Sequence, residues 1–132
     1  MLSIHRKCLS LEDINKLLFD LSKSLEQENI SESNLFKIKL IYEELLLNCW
    51  YHGYDQDNDN TLSFEIKVQN KDSHIELSLI DNTSKFDYDK AFKKTEADSI
   101  GGHGINLVEN FCDKWTYTRS GKYNINYLEI TL

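Results

Sequence analysis

Apolar residues recur at intervals of three and four in the first third of the chain, which is the spacing of helices with one buried face. One such run follows Ser10 and predicts a helix over about residues 11–28. Asp13, three residues after Ser10, makes this start resemble a capping box, in which two side chains satisfy free backbone amides. A second run predicts a helix from Ser31 to about His52. The early chain is therefore expected to hold two amphipathic helices.

Further along the chain the pattern changes to alternation of apolar and polar residues, which is typical of strands with one buried face. Residues 62–68 and 75–81 alternate on either side of a polar turn and predict a hairpin. The polar stretch at 82–100 precedes a third predicted helix. Three further strands are predicted, at residues 1–8, 115–119 and 126–132.

This order of elements, β-α-α-β-β-α-β-β, predicts an α+β fold, because strands joined by short turns pair antiparallel and helices can cover one face of their sheet. We expect a two-layer sandwich with a mixed, mostly antiparallel sheet and helices on one face. A length of 132 residues fits one domain, spanning residues 1–132. One more helical turn is expected inside the polar stretch, at residues 87–94.

The composition argues against several classes of function. Lys and Arg number 15 against 22 Asp and Glu, a net charge of −7, so a general nucleic-acid or anionic-membrane surface is not expected. Three cysteines, Cys8, Cys49 and Cys112, lie far apart, which argues against a disulfide framework or a zinc site. No apolar run is long enough to span a membrane and no signal peptide opens the chain. The expected location is the cytoplasm.

Two polar residues interrupt the apolar face of the second helix. Glu44 and Asn48 are four residues apart, so they lie about 40° apart around a helix and share one face. A carboxylate and an amide on an apolar stripe are costly to bury without partners. One interpretation is a site in which Asn48 offers its oxygen to a hard cation such as Mg²⁺ and Glu44 acts as a general base. The other is that both residues lie at the solvent edge of the stripe.

Glycine is concentrated at one place in the sequence. The chain has five glycines and no proline, and three of the five fall in the run Ile100-Gly-Gly-His-Gly-Ile105. Glycine lets backbone amides close on an anion, and the start of the helix that follows adds positive potential. The run is a candidate phosphate loop, although it matches neither a Walker nor a Rossmann pattern. The alternative is an ordinary flexible loop and helix cap.

A third candidate is Asp81, which ends an alternating strand and is followed by Asn82 and Thr83. A carboxylate at a strand end can accept a hydrogen bond from an exocyclic amine such as that of adenine. The alternative is a turn that ends the strand, for which Asp and Asn are common residues.

Together and in this order, these features resemble the GHKL class of ATP-binding domains. The run E-E-L-L-L-N-C-W-Y-H-G at residues 43–53 resembles the N-box, in the form typical of bacterial anti-sigma-factor serine kinases. Residues 81–87, D-N-T-S-K-F-D, are similar to the D-x-G-x-x-F-D box of that family. Residues 101–113 are similar to its G-G-x-G box. The resemblance covers nearly the whole chain.

The resemblance implies a Bergerat-type ATP-binding sandwich, with ATP and Mg²⁺ held between the helix layer and a lid at about residues 86–101. By position, Glu44 would be the catalytic base that deprotonates an acceptor serine or water, Asn48 would ligand Mg²⁺, and Asp81 would bind the adenine amino group. The remaining cofactor-binding residues that the resemblance implies are His52, Thr83, Gly101, Gly102, His103 and Gly104.

The implied activity is that of an ATP-binding anti-sigma regulatory factor, a serine/threonine protein kinase acting on transcription. It would phosphorylate a small STAS-like anti-anti-sigma partner and hold a sigma factor. Two residues depart from the pattern, since Cys49 stands where the family has a small Ala and Thr83 where it has Gly. Thr83 leaves a second hypothesis open, a non-catalytic partner-switching module that binds nucleotide weakly or not at all. The resemblance is also compatible with a homodimer.

Overall fold

The computed structural model of the chain describes residues 1–53, 61–86 and 103–132, with the backbone alone for residues 103–106. The helical turn predicted at 87–94 and the candidate ligands Gly101 and Gly102 lie outside the described residues.

The described residues form eight regular elements and one π-helical turn. In chain order they are β1 (Leu2–Cys8), α1 (Leu11–Glu26), α2 (Glu32–Asn48), the π-helical turn (Cys49–Gly53), β2 (Leu62–Asn70), β3 (His74–Asp81), α3 (His103–Phe111), β4 (Lys114–Ser120) and β5 (Tyr123–Thr131). The predicted order of strands and helices is confirmed.

The Ser10 cap predicted at the start of α1 is present, although Asp13 pairs with the amide one residue before the one that a capping box uses. The Ser10 hydroxyl accepts a hydrogen bond from the Asp13 amide at 3.1 Å, and the Asp13 carboxylate accepts one from the Leu9 amide at 2.9 Å. These contacts satisfy amides that have no partner inside the helix. The helix ends at Glu26, two residues before the predicted end.

The second helix changes type where the sequence predicts that it continues. The α-helical part ends at Asn48, and residues Cys49–Gly53 form a π-helical turn. A π turn is wider than an α turn, so residues after Asn48 leave the face that α-helical spacing assigns to them. The prediction of one α-helix to His52 is therefore wrong in type for its last turn.

The five strands form one sheet in the order β1-β2-β3-β5-β4, and every pairing among them is antiparallel. The α+β class is confirmed, with a sheet that contains only antiparallel pairs among the described strands instead of the mixed pairing expected. In the centre of the sheet Ile66 of β2 lies opposite both Ile4 of β1 and Leu79 of β3, which places apolar side chains of three strands on one face.

That face packs against the helices and forms the core. The largest fully buried side chain in it is Tyr42 of α2, whose hydroxyl lies 3.0 Å from the Ser78 carbonyl and 3.1 Å from the Lys67 carbonyl. Burial raises the pKa of this phenol. The rest of the core is aliphatic apart from Phe64 and Cys8 and includes Ile14, Leu21, Ile38, Leu46, Ile66, Leu77, Val108 and Leu128. The opposite face of the sheet carries charged side chains that are partly exposed, such as Glu65 and Glu76.

The described part of the chain contains three α-helices. None of its helices combines the length and the apolar character that crossing a bilayer requires.

Candidate functional site

A small pocket lies where α2 ends against the ends of two strands. The last residue of α2 is Asn48, the last of β3 is Asp81, and Asn124 is the second residue of β5. The register of β3 and β5 places Asp81 directly opposite Asn124. The pocket is lined by Leu45, Asn48, Cys49, Gly53, Asp81, Thr83, Phe86 and Asn124.

Asp81 is buried and its carboxylate is bound by the chain's own donors. Its Oδ1 accepts hydrogen bonds from the Thr83 hydroxyl at 2.5 Å, the Thr83 amide at 3.0 Å and the Asn124 side-chain amide at 2.8 Å. Only 2 % of Asp81 is exposed to solvent. Thr83 and Asn124 therefore both donate to the same oxygen of this buried carboxylate.

Asn124 joins this carboxylate to the neighbouring strand. Its Nδ2 lies 3.0 Å from the Thr83 hydroxyl and 3.0 Å from the Ser84 carbonyl, besides its contact with Asp81. Its Oδ1 accepts hydrogen bonds from Arg119 at 3.0 Å and from the Tyr117 hydroxyl, both on β4. Arg119 also donates to the Thr83 carbonyl at 2.6 Å. The amide side chain of Asn124 is thus paired at both ends, as a buried polar group must be.

The π-helical turn closes the pocket from the other side. The Cys49 thiol is hydrogen-bonded to Asp81 and Thr83, and its pKa is raised well above the ordinary value by burial and then by the Asp81 carboxylate. A Cβ added at Gly53 would lie 2.7 Å from both Cβ and Oγ1 of Thr83. Ser84 donates its amide to the Gly53 carbonyl at 3.2 Å. Only glycine at position 53 lets the turn approach Thr83 this closely.

These contacts allow a test of whether adenine fits against Asp81. The cavity that remains measures about 10 Å³, which is room for about one water molecule. The Thr83 side chain and the Cys49 thiol, the two departures from the family pattern, both lie against Asp81. In this arrangement the side chains of Thr83 and Cys49 take part of the space beside Asp81 that an adenine amine would use.

Of the two polar residues predicted on α2, Asn48 lines the pocket and Glu44 is not among its lining residues. Burial, and next the neighbouring carboxylate of Glu43, raises the pKa of Glu44, which is the direction that favours proton uptake near neutral pH. Asn48 lines the pocket, and its buried Nδ2 has no hydrogen-bond partner among the described residues. Of the predicted site residues, the structure thus brings Asn48, Asp81 and Thr83 together around one cavity.

The other predicted site residues are placed elsewhere or incompletely. His52 is exposed on the π-helical turn, with its ring 6.2 Å from the ring of Phe86. Because the π turn is wider than an α turn, His52 does not lie on the helix face that α-helical spacing assigns to it. His103 and Gly104 are the first two residues of α3, so the helix begins inside the glycine run that was predicted to precede it.

Asn124 and Arg119 are the site residues that sequence reasoning missed. Asn124 and Asn126 occupy alternate positions that share the buried face of β5 with Leu128 and Ile130, and each is 2 % exposed. Amides on a buried strand face require partners. Two asparagines at positions where a strand's buried face is otherwise apolar were the sequence signal that could have identified Asn124 as a site residue.

The comparisons with known proteins agree with this fold. The family of histidine kinase-like ATPase domains matches residues 9–130, and the chain belongs to it. This is the GHKL class that the sequence motifs resemble. No curated protein sequence matches the chain.

Solved structures extend the likeness to the whole fold. A chain of the SiaB–SiaC complex from Pseudomonas aeruginosa is similar with a TM-score of 0.63 at 14 % identity, covering 100 % of this chain and 89 % of that one. The nucleotide-free catalytic domain of the histidine kinase ThkA is similar with a TM-score of 0.57 at 10 % identity, covering 99 % of this chain and 96 % of that domain. At these identities the similarity shows a shared fold.

Proposed function

We propose that this protein is a regulator that acts by binding a partner protein, without needing ATP in its pocket. The observation that carries the proposal is the Asp81 carboxylate, which is paired with Thr83 and Asn124 above a cavity of about 10 Å³. A family member whose nucleotide position is filled by its own side chains retains the fold as a surface for protein recognition. This is the partner-switching module that Thr83 left open as a hypothesis.

The family and the likeness to a chain of a two-protein complex support a protein as the partner. We propose a small folded STAS-like protein as the partner, a sigma factor as a second one, and the cytoplasm as the place of action. A homodimer is compatible with this role.

The experiment is a binding titration of candidate STAS-like proteins from the same genome, with and without Mg-ATP. We expect one of them to bind with the same affinity in both conditions. A complex that forms only when Mg-ATP is present would overturn the proposal. The matched control is Asn48→Ala, which should leave partner affinity unchanged in both conditions.

A second candidate function is the Mg-ATP-dependent serine/threonine kinase that the sequence motifs imply. Two observations favour it: burial raises the pKa of Glu44, and the side-chain nitrogen of Asn48, which has no partner among the described residues, is a donor suited to a phosphate oxygen. The roles of Glu44 as base and of Asn48 as Mg²⁺ ligand belong to this candidate. It requires the Asp81 pocket to open. Transfer of labelled phosphate from ATP to a STAS-like partner, abolished by Glu44→Ala, would establish it in place of the first.

A further inference from the structure

A second polar cluster lies on the open face of the sheet, away from the helices and from the Asp81 pocket. It consists of His74 and Glu76 on β3 and Glu129 on β5. Their neighbours Ile75 and Leu77 on β3 point into the core, so the cluster points to the other side. The function proposed above does not use these residues.

The two glutamates are placed in an electrostatically unfavourable pair. Glu76 and Glu129 are directly opposite in the register of β3 and β5. Like charges at directly opposite positions of an antiparallel pair destabilise the sheet. Their side chains are only 22 % and 26 % exposed, so water screens the repulsion incompletely. The pair needs neutralising positive charge, part of which Lys71 supplies at 2.8 Å from Glu76.

The hydrogen bonds within the cluster leave this need partly unmet. The Tyr127 hydroxyl lies 2.6 Å from Glu76 Oε2 and 2.6 Å from Glu129 Oε1. A phenol has one proton and can donate to only one of the two oxygens at a time. Lys71 lies 2.8 Å from the other oxygen of Glu76, and Lys114 lies over the Tyr127 ring at 6.0 Å. One carboxylate oxygen facing the cluster therefore lacks a donor from Tyr127.

A histidine completes a set of three ligand atoms at this point. The Nε2 of His74 lies 3.7 Å from Glu129 Oε1 and 4.0 Å from Glu76 Oε2, and one ligand atom from each of the three residues lies within 4.8 Å of the others. The Ser73 hydroxyl lies 3.0 Å from His74 Nδ1, which orients the ring with Nε2 towards the carboxylates. A partner on the second ring nitrogen is the usual arrangement for a metal-binding histidine.

We propose that His74, Glu76 and Glu129 bind a divalent transition ion of the zinc class, with water in the remaining position. One imidazole and two carboxylates suit such an ion, whereas Mg²⁺ and Ca²⁺ take oxygen ligands. Ligands at about 2.0–2.2 Å from zinc lie roughly 3.3–3.6 Å from one another in a tetrahedral site. Closing on the ion therefore brings the three ligand atoms nearer to one another and displaces the Tyr127 hydroxyl, which lies 2.6 Å from both carboxylate oxygens.

The test is a titration of the full chain, free of any affinity tag, with Zn²⁺ and with Co²⁺. Competition with a chromophoric chelator measures Zn²⁺ affinity, and the visible absorption of bound Co²⁺ reports a nitrogen and oxygen ligand set. We expect one ion per chain at micromolar affinity. We expect His74→Ala and Glu129→Gln each to weaken binding at least about tenfold, the loss of one ligand.

His5→Ala is the matched control, because His5 lies on the same open face and contacts a single glutamate, Glu65, at 3.3 Å. It should leave the affinity unchanged. Circular dichroism confirms that each variant is folded before titration. Affinity no tighter than millimolar, or equal weakening by His74→Ala and His5→Ala, would overturn the proposal.

Discussion

The Thr83 hydroxyl offers the sharpest test of how the Asp81 pocket is closed. Thr83→Val keeps the shape of the side chain and removes the hydroxyl that donates to Asp81 at 2.5 Å. Hydrogen bonds to charged groups are worth about 1.5–3 kcal/mol, and the substitution leaves a buried carboxylate with one donor fewer. We therefore expect the free energy of unfolding to fall by about 2–3 kcal/mol.

Thr83→Ser is the matched variant, because it keeps the hydroxyl and removes one methyl group. Loss of a buried methyl group costs about 1 kcal/mol. Urea denaturation, followed by circular dichroism, compares the two variants with the wild type. At a slope of about 2 kcal/mol/M, Thr83→Val should lower the midpoint by about 1–1.5 M and Thr83→Ser by about 0.5 M. If Thr83→Ser proves as costly as Thr83→Val, packing and not the hydrogen bond closes the pocket.

Three further predictions address the surroundings of the pocket and the core. Gly53→Ala should lower the free energy of unfolding by about 1–3 kcal/mol, because the added Cβ would lie 2.7 Å from Thr83. In a double-mutant cycle, Thr83→Gly should remove most of that cost. If the costs of the two substitutions simply add, the contact between positions 53 and 83 is contradicted. Burial raises the pKa of Cys8 from 9.0 to about 11. Between these two pH values the folded state keeps a thiol proton that the unfolded state releases. The free energy of unfolding should therefore fall as the pH rises from 9.0 to about 11. Cys8→Ala should flatten that decline in alkaline denaturation curves. Burial, and next the Glu43 carboxylate, raises the pKa of Glu44 above 4.5, so the wild type loses stability as the pH rises through that pKa. Glu44→Gln does not titrate, so its stability relative to the wild type should increase from acidic to neutral pH. A stability difference between the two proteins that does not change with pH would refute the shift.

Most of the fold was predictable because its signals are local. The 3.6-residue spacing in α1, its capping residues, and the alternation in β2 and β3 each depend on neighbours in sequence. The π-helical turn was not predictable in this way. Its form goes with the approach of Gly53 to Thr83, thirty residues further along the chain, and no spacing pattern encodes that contact.

The residues that line the candidate site were predictable from the sequence, but the contacts that they make with one another were not. Asp81, Thr83 and Asn48 were identified from motifs, and the structure brings them around one cavity. The partners that close it, Asn124 and Arg119, come from β5 and β4 and meet Asp81 and Thr83 only through strand pairing. Sequence reasoning could name the position at which adenine is expected, but only the tertiary contacts show which side chains lie against Asp81.

The central claim is that the chain's own side chains occupy the space beside Asp81, and calorimetric titration with Mg-ATP tests it most directly. The wild type and the double variant Cys49→Ala/Thr83→Gly are compared. The account predicts no binding by the wild type in the micromolar range and measurable binding once both side chains are removed. Micromolar binding by the wild type, abolished by Asn48→Ala, would contradict it.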